Sequence, residues 1–238
     1  LATNAANALK SPSWHHVFGT DQLGRDVFSR VIAATRLDLG IATSAVALSF
    51  VIGCALGCSA GFWGGWIDRV VGRFSDTIMA FPLFVLAMGI VAAMGNTVEN
   101  IIYATAIINL PFYARVARSE TSVHRKAGYV HAARLCGSSN IRFLATQIFP
   151  NILPPMMVQV SLNMGWAILN AAGLSFIGLG VRPPDAEWGI MVAEGANYIV
   201  SGEWWLAIFP GLALMLAVFC FNLLGDGLRD LVDPRRRT

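Results

Sequence analysis

Five stretches of this chain contain no Asp, Glu, Lys or Arg: residues 39–67, 77–98, 100–114, 143–181 and 204–225. A helix needs ~20 mostly apolar residues to cross ~30 Å of hydrocarbon. Inside that layer only helices and closed barrels satisfy their own backbone hydrogen bonds. The stretches lack the two-residue alternation of barrel strands, so helices are expected. The composition agrees: 55% of the 238 residues are hydrophobic and only 13% are charged, against about 25% charged in an ordinary soluble domain. An all-α polytopic membrane protein follows.

The expected crossings are residues 38–62, 77–95, 98–116, 151–173 and 204–224. Residues 1–37 read as an amphipathic lead-in, because Arg25, Arg30 and Arg36 alternate with Val27, Phe28, Val31 and Ile32, a pattern suited to a helix lying on the membrane surface. Gly53 and Gly57 in the first crossing have the small-xxx-small spacing that admits a close neighbouring helix. Gly95-Asn96 predicts a tight turn between the second and third. Pro150, Pro154 and Pro155 are expected to mark where the fourth crossing begins. A re-entrant piece around residues 175–180 stays open. The transmembrane body is thus residues 38–226, with a tail at 227–238.

Orientation follows from lysine and arginine counts in short loops. Arg115, Arg118, Arg125, Lys126, Arg134 and Arg142 face one acid, Glu120, in the polar segment 118–150 and its approach. The tail adds Arg229 and Arg235, Arg236 and Arg237. Residues 181–203 hold Arg182 alone against Asp185, Glu187, Glu194 and Glu203. The polar segment and the C-terminus are therefore expected in the cytoplasm and 181–203 outside, with Trp188, Trp204 and Trp205 anchoring the outer interface. Five crossings then place residues 1–37 outside. That placement and the missing initial Met lead us to expect a sixth, N-terminal helix before Leu1.

Several function classes lose their chemistry here. Ion-coupled carriers place ionisable groups within their spans, and all four histidines, His15, His16, His124 and His131, lie outside them. A phosphate-cradling motor loop ends in Gly-Lys, a dipeptide the chain lacks. Cys54 and Cys58 sit four apart on one helix face, without a second ligand pair, and read as small buried packing residues rather than a metal site. The arginines are dispersed, so nucleic acid is not an expected partner. The chain is expected to be no enzyme and to bind no cofactor or metal. It is either a passive pore or scaffold, or the membrane half of a machine whose motor is another chain.

The segment Tyr129-Val130-His131-Ala132-Ala133-Arg134-Leu135-Cys136-Gly137, followed at a distance by Phe149-Pro150, resembles the cytoplasmic Glu-Ala-Ala loop of ABC importer permeases. His131 stands where that loop has Glu. Phe18-Gly19-Thr20-Asp21-Gln22-Leu23-Gly24-Arg25-Asp26, Pro183-Pro184-Asp185-Ala186-Glu187-Trp188-Gly189 and Phe221-Asn222-Leu223-Leu224-Gly225-Asp226 resemble the second, "C-type" permease of the peptide/nickel import group. The resemblance implies a bacterial inner-membrane subunit importing di- or oligopeptides, with a nickel or nickel-chelate importer as the alternative.

The same resemblance implies the partners. These are a homologous permease subunit, two cytoplasmic ATPase subunits that use ATP, an extracytoplasmic solute-binding protein, and membrane lipid. It assigns ATPase coupling to Tyr129, His131, Ala132, Ala133, Arg134 and Gly137, small residues allowing close docking and the glycine ending the helix. Asn109, Gln159, Asn163 and Asn170, polar and uncharged within spans, are candidates for lining the passage, or equally for helix–helix hydrogen bonds. Asp185, Glu187 and Trp188 are either docking points for the binding protein or interface anchors. A channel is expected to pass solute without a motor, whereas a permease subunit is inert alone.

Overall fold

The computed structural model describes residues 3–130 and 139–232. Apart from one isolated bridge between Thr20 and Asp26, the described residues form helices and turns. Among the described residues eight α-helices follow one another: α1 (Val27–Trp63), α2 (Gly65–Met79), α3 (Leu83–Met94), α4 (Val98–His124), α5 (Asn140–Phe143), α6 (Phe149–Phe176), α7 (Trp188–Ala196) and α8 (Trp205–Val232). A π-turn, Leu144–Ile148, joins α5 to α6. Two compact units result. The first holds residues 1–45, 87–105 and 164–220, the second residues 46–86, 106–163 and 221–238.

Three helical stretches among the described residues are long and apolar enough to cross a membrane: Val27–Trp63, Asn140–Phe176 and Trp205–Leu231. A fourth arises if α2 and α3 count as one broken span, because they meet at a 90° bend. The sequence reading expects an unbroken second crossing at 77–95. Instead the chain turns at Ala80–Pro82, since Pro82 has no N–H to continue α2 and its fixed φ suits the first turn of a new helix. The expected third crossing, 98–116, lies wholly within α4. That helix also carries Glu99, Asn100, Arg115 and Arg118 and is less apolar than the other three.

Other boundaries move for identifiable reasons. α1 begins at Val27 rather than near residue 38, so the amphipathic stretch forms its first turns and not a separate surface helix. Its 37 residues make it about 55 Å long. The three prolines do not begin the fourth crossing. The helix reaches back to Asn140, and the Phe149 N–H returns to the Leu144 carbonyl in the wider π pattern just ahead of Pro150, a local unwinding that relieves the clash a proline ring makes with the preceding turn. Residues 175–180 are the C-terminus of α6. The Leu179 N–H bonds the Leu174 carbonyl, the Gly178 N–H bonds that of Ser175, and Gly178 takes φ +81°, which is a Schellman ending.

In the second unit Gly53, Gly57 and Gly61 form one face of α1 laid on α4. A β-carbon on each would stand 2.6 Å from the Tyr113 Cβ, 2.3 Å from the Ala114 carbonyl oxygen and 2.6 Å from the Arg118 carbonyl oxygen respectively. The expected small-xxx-small contact at Gly53 and Gly57 is present and extends one turn further. Ala60, Val71, Leu110 and Ala114 pack beside it. Asp68 pairs with Arg118, and Asp76 with Arg115 at 2.8 Å, tying α2 to α4.

In the first unit the lead-in folds back on itself. The Thr20 N–H bonds the Lys10 carbonyl and the Asn4 N–H that of Leu23. Gly24, at φ +69°, leaves a β-carbon no room beside the Asn4 carbonyl. α7 is wedged among helices. A β-carbon on Gly189 would lie 2.1 Å from the Ala172 carbonyl oxygen on α6, and one on Gly195 2.4 Å from the Leu206 carbonyl carbon on α8.

Candidate coupling site and buried polar clusters

His131, Ala132, Ala133, Arg134 and Gly137 lie outside the described residues. The residues on either side of them are placed, and they form a clamp in the second unit. The Tyr129 hydroxyl lies 2.9 Å from His124 Nδ1 at the end of α4. The Tyr129 ring stands 6.3 Å from that of Phe143, and Phe143 stands 6.2 Å from Phe62 in the last turn of α1. Phe143 and Val130 are buried. Aromatic pairs at such separations hold both by area and by ring quadrupoles. The two ends of the segment are thereby fastened to α1 and α4, the helices joined by the glycine seam. A recess of about 910 Å³ lies alongside, lined by Asp76, Arg115, Arg118, Ser119, Ser122 and Lys126 among others.

Asn109, Gln159 and Asn163 belong to the second unit and Asn170 to the first. Asn109, Asn163 and Asn170 are buried. Gln159 Nε2 donates to Asn163 Oδ1 at 3.0 Å, and Asn170 Nδ2 donates to the Trp166 carbonyl at 2.9 Å. The Tyr113 side chain adjoins both Asn163 and Ser49. Gln159, Asn163 and Asn170 thus make hydrogen bonds within α6. Cys54 and Cys58 are buried on α1, near α4, where Cys58 meets Thr121.

The interface reading of 181–205 needs correction. Trp188 is buried, and its Nε1 donates to the Val31 carbonyl at 3.0 Å. Trp205 is buried too, donating from Nε1 to the Thr20 carbonyl at 3.3 Å. Only Trp204 stays half exposed. Both buried indoles join the lead-in and α1 to the C-terminal half of the first unit. Asp185 is exposed, but Glu187 is fully buried and caps α7, accepting from the Gly189 N–H at 2.9 Å and the Ile190 N–H at 2.7 Å. A binding protein cannot dock on it. Burial pushes the Glu187 carboxyl above the usual carboxylate range, against the pull of Asp38 and of these N–H donors.

Two buried polar clusters escape a sequence reading. In the first, the Asp21 carboxylate accepts from the Leu23 N–H (2.9 Å), the Arg25 N–H (2.8 Å), Arg25 Nε (2.6 Å) and Arg30 Nη1 (2.7 Å). Arg30 also reaches Glu194 on α7 at 3.2 Å. Arg25 and Arg30 are thus internal residues and not the polar face of a surface helix. The second cluster is Asp38 with Glu187. Both clusters fall in segments already distinctive by motif. The available signal was charge retained among apolar neighbours, which marks either a paired buried group or a surface one.

The helix order defines the class. The backbone matches a chain of the MetNI methionine ABC transporter, solved in inward-facing conformations, with a TM-score of 0.69 at 16% identity, covering 86% of this chain and 97% of that one. The fold is that of an ABC importer membrane subunit. Residues 53–238 match the family described as "Binding-protein-dependent transport system inner membrane component", and the chain belongs to it. Among curated relatives it is 45% identical to the probable D,D-dipeptide transport system permease protein DdpC of Escherichia coli K12, over 99% of this chain and 80% of that protein. It is 42% identical to the dipeptide transport system permease protein DppC of Alkalihalophilus pseudofirmus, over 99% and 77%. The glutathione transport system permease protein GsiD of Pectobacterium atrosepticum is 41% identical, over 96% and 76%.

Proposed function

We propose that this chain forms half of the translocation pathway for di- or oligopeptides in a binding-protein-dependent importer, and that separate ATPase subunits drive it. The observation that carries the reading is the identity of 40–45% to permeases named for dipeptides and peptides across nearly the whole chain. Pairing with a second permease, docking of an extracytoplasmic binding protein and a cytoplasmic C-terminus belong to the same proposal.

The mechanism we propose uses residues 129–137 as the contact with the motor. The clamp of Tyr129, Phe143 and Phe62 supports it. A push on a segment fastened by rings to α1 and α4 is passed to both helices together, because the glycine seam leaves them no room to slide apart. Interiors packed this closely transmit displacement instead of absorbing it. Ala132 and Ala133 offer a surface without side-chain bulk, and Gly137 permits the turn out of the segment. The passage in this reading includes surfaces the chain shares with its partner subunit, with Asn109, Gln159, Asn163 and Asn170 supporting the helices around it.

The test is reconstitution with the neighbouring subunits, followed by peptide uptake and ATP hydrolysis in the same vesicles. Ala133→Asp and Gly137→Val are expected to abolish uptake while assembly persists and hydrolysis no longer responds to substrate. Unchanged uptake in both variants overturns the assignment of residues 129–137. Uptake by the chain alone, without ATPase subunits, overturns the permease reading in favour of a channel.

A further inference from the structure

Asp38 on α1 and Glu187 at the start of α7 are 1% and 0% exposed, and both carboxyls lie against the first turn of α7, where they face each other. Every other partner they have is neutral. Asp38 Oδ2 accepts from the Trp188 N–H at 3.1 Å. The Glu187 oxygens accept from the Gly189 and Ile190 N–H groups and from the Ser175 hydroxyl. Among the described residues no Arg, Lys or His comes within ion-pairing distance of either acid. Arg30, two turns back on α1, is committed to Asp21 and Glu194. Arg36, Arg182 and Asp185 are exposed, and α6 offers only Ser175. Asp38 Oδ1 has no donor among the described residues.

Two ionised carboxylates cannot face each other in such a place. Each is an acceptor only, each loses its hydration, and their charges repel without a cation between them. A single proton resolves all three difficulties. It turns one acid into a donor toward the orphaned oxygen and leaves one negative charge, which the N–H groups at the start of α7 accommodate. We propose that Asp38 and Glu187 hold one proton in common, and that this proton joins the two Trp188 bonds in fastening α7 and its connector to α1. The pair adjoins a recess of about 600 Å³, lined on one side by Arg36 and Leu37 and on the other by Asp185 and Ala186. The shared proton is a structural one, held through the working cycle and not passed on.

The test is infrared spectroscopy of the full chain in lipid nanodiscs at neutral pH. A protonated carboxyl stretch sensitive to deuterium oxide is expected in the wild type, and it is expected to vanish in both Asp38→Asn and Glu187→Gln. An amide at either position supplies the missing donor, so both variants keep the brace, Glu187→Gln with one of the two bonds that cap α7 given up. They are expected to fold and, in the assembled importer, to retain uptake within about twofold. Their unfolding temperature should no longer fall as pH is raised from the acid range through neutrality, whereas the wild type's should. Absence of the band in the wild type overturns the proposal without any variant. Survival of the band in both variants, an unchanged pH slope, or assembled Glu187→Gln that has lost uptake also overturns it, the last pointing to a proton that must move. None of these spectroscopic outcomes depends on the transported substance.

Discussion

Gly57 on α1 lies so close to Ala114 on α4 that a β-carbon added to it would stand 2.3 Å from that residue's carbonyl oxygen. The contact is backbone against backbone, so no side-chain rotation relieves it. Gly57→Ala should therefore force the two helices apart and destabilise the chain by roughly 1–3 kcal/mol, the ordinary range for overpacking. Gly40 on the same helix has nothing within 4 Å of its ideal β-carbon. Gly40→Ala should be neutral or stabilising by up to about 1 kcal/mol, because alanine orders more readily in a helix. Thermal unfolding of both variants in one detergent checks the contrast.

Arg30 is the only cation that reaches both Asp21 and Glu194 among the described residues. Arg30→Ala leaves Glu194 without its partner and Asp21 with Arg25 alone. Removing one member of a buried ion pair typically costs ~3–5 kcal/mol, so loss of the folded lead-in is expected. Arg30→Lys should recover only part, since one ammonium cannot present the fork that meets two carboxylates. Limited proteolysis between residues 3 and 26, read by mass spectrometry, measures the release directly.

Trp188→Phe keeps most of the ring and deletes the bond from Nε1 to the Val31 carbonyl. The Val31 carbonyl keeps its partner within α1, the Thr35 hydroxyl at 3.2 Å, so the cost is that of one ordinary hydrogen bond, ~0.5–1.5 kcal/mol. If Trp188 instead served as an interface anchor, the same change would be nearly silent. A stability measurement in detergent, where no bilayer interface exists, separates the two roles.

Asp26 caps α1, accepting from the Ser29 N–H and hydroxyl and facing His16. Partial burial acts to raise its pKa, but the bonds from Ser29 and His16 outweigh it, and the net direction is downward. The sign follows from linkage. The stabilisation is present above the ordinary Asp value of about 3.9 and is lost as pH falls through the lowered folded value. Asp26→Asn keeps a capping oxygen and should flatten this acid limb of the stability curve while changing little at neutral pH. Unfolding followed across pH 2–6, a range chosen to span about two units on either side of that value, is the measurement.

The aromatic clamp makes a different demand. Phe143→Leu fills much of the same volume but removes the ring contacts to Tyr129 and Phe62. If the clamp carries motion from residues 129–137, this variant should lose substrate-stimulated hydrolysis more than it loses stability. Equal losses in both would reduce Phe143 to a packing residue.

Much of the architecture was legible in charge alone. Blocks without Asp, Glu, Lys or Arg located α1, α4, α6 and α8, and the four-residue spacing of Gly53 and Gly57 located the α1–α4 seam. Gly61 continues that seam by one turn, where the sequence already borders the polar loop and the spacing carries less signal. The bend at Pro82 was less legible, since a proline in an apolar run can kink, end or merely begin a helix.

Periodicity and composition by themselves determined that this chain is helical, membrane-spanning and built on close glycine contacts, because hydrocarbon excludes unpaired backbone and charge from every alternative. They could not determine where the remaining charges go. Arg25, Arg30, Asp38 and Glu187 look like loop and surface residues along the chain, and their burial depends on partners such as Asp21, Glu194 and each other. Arg30 and Glu194 are 164 residues apart, and Asp38 lies 150 residues before Trp188, the neighbour of Glu187 that it binds. Only the tertiary structure brings them together, since a buried charge is tolerable only beside the group that compensates it.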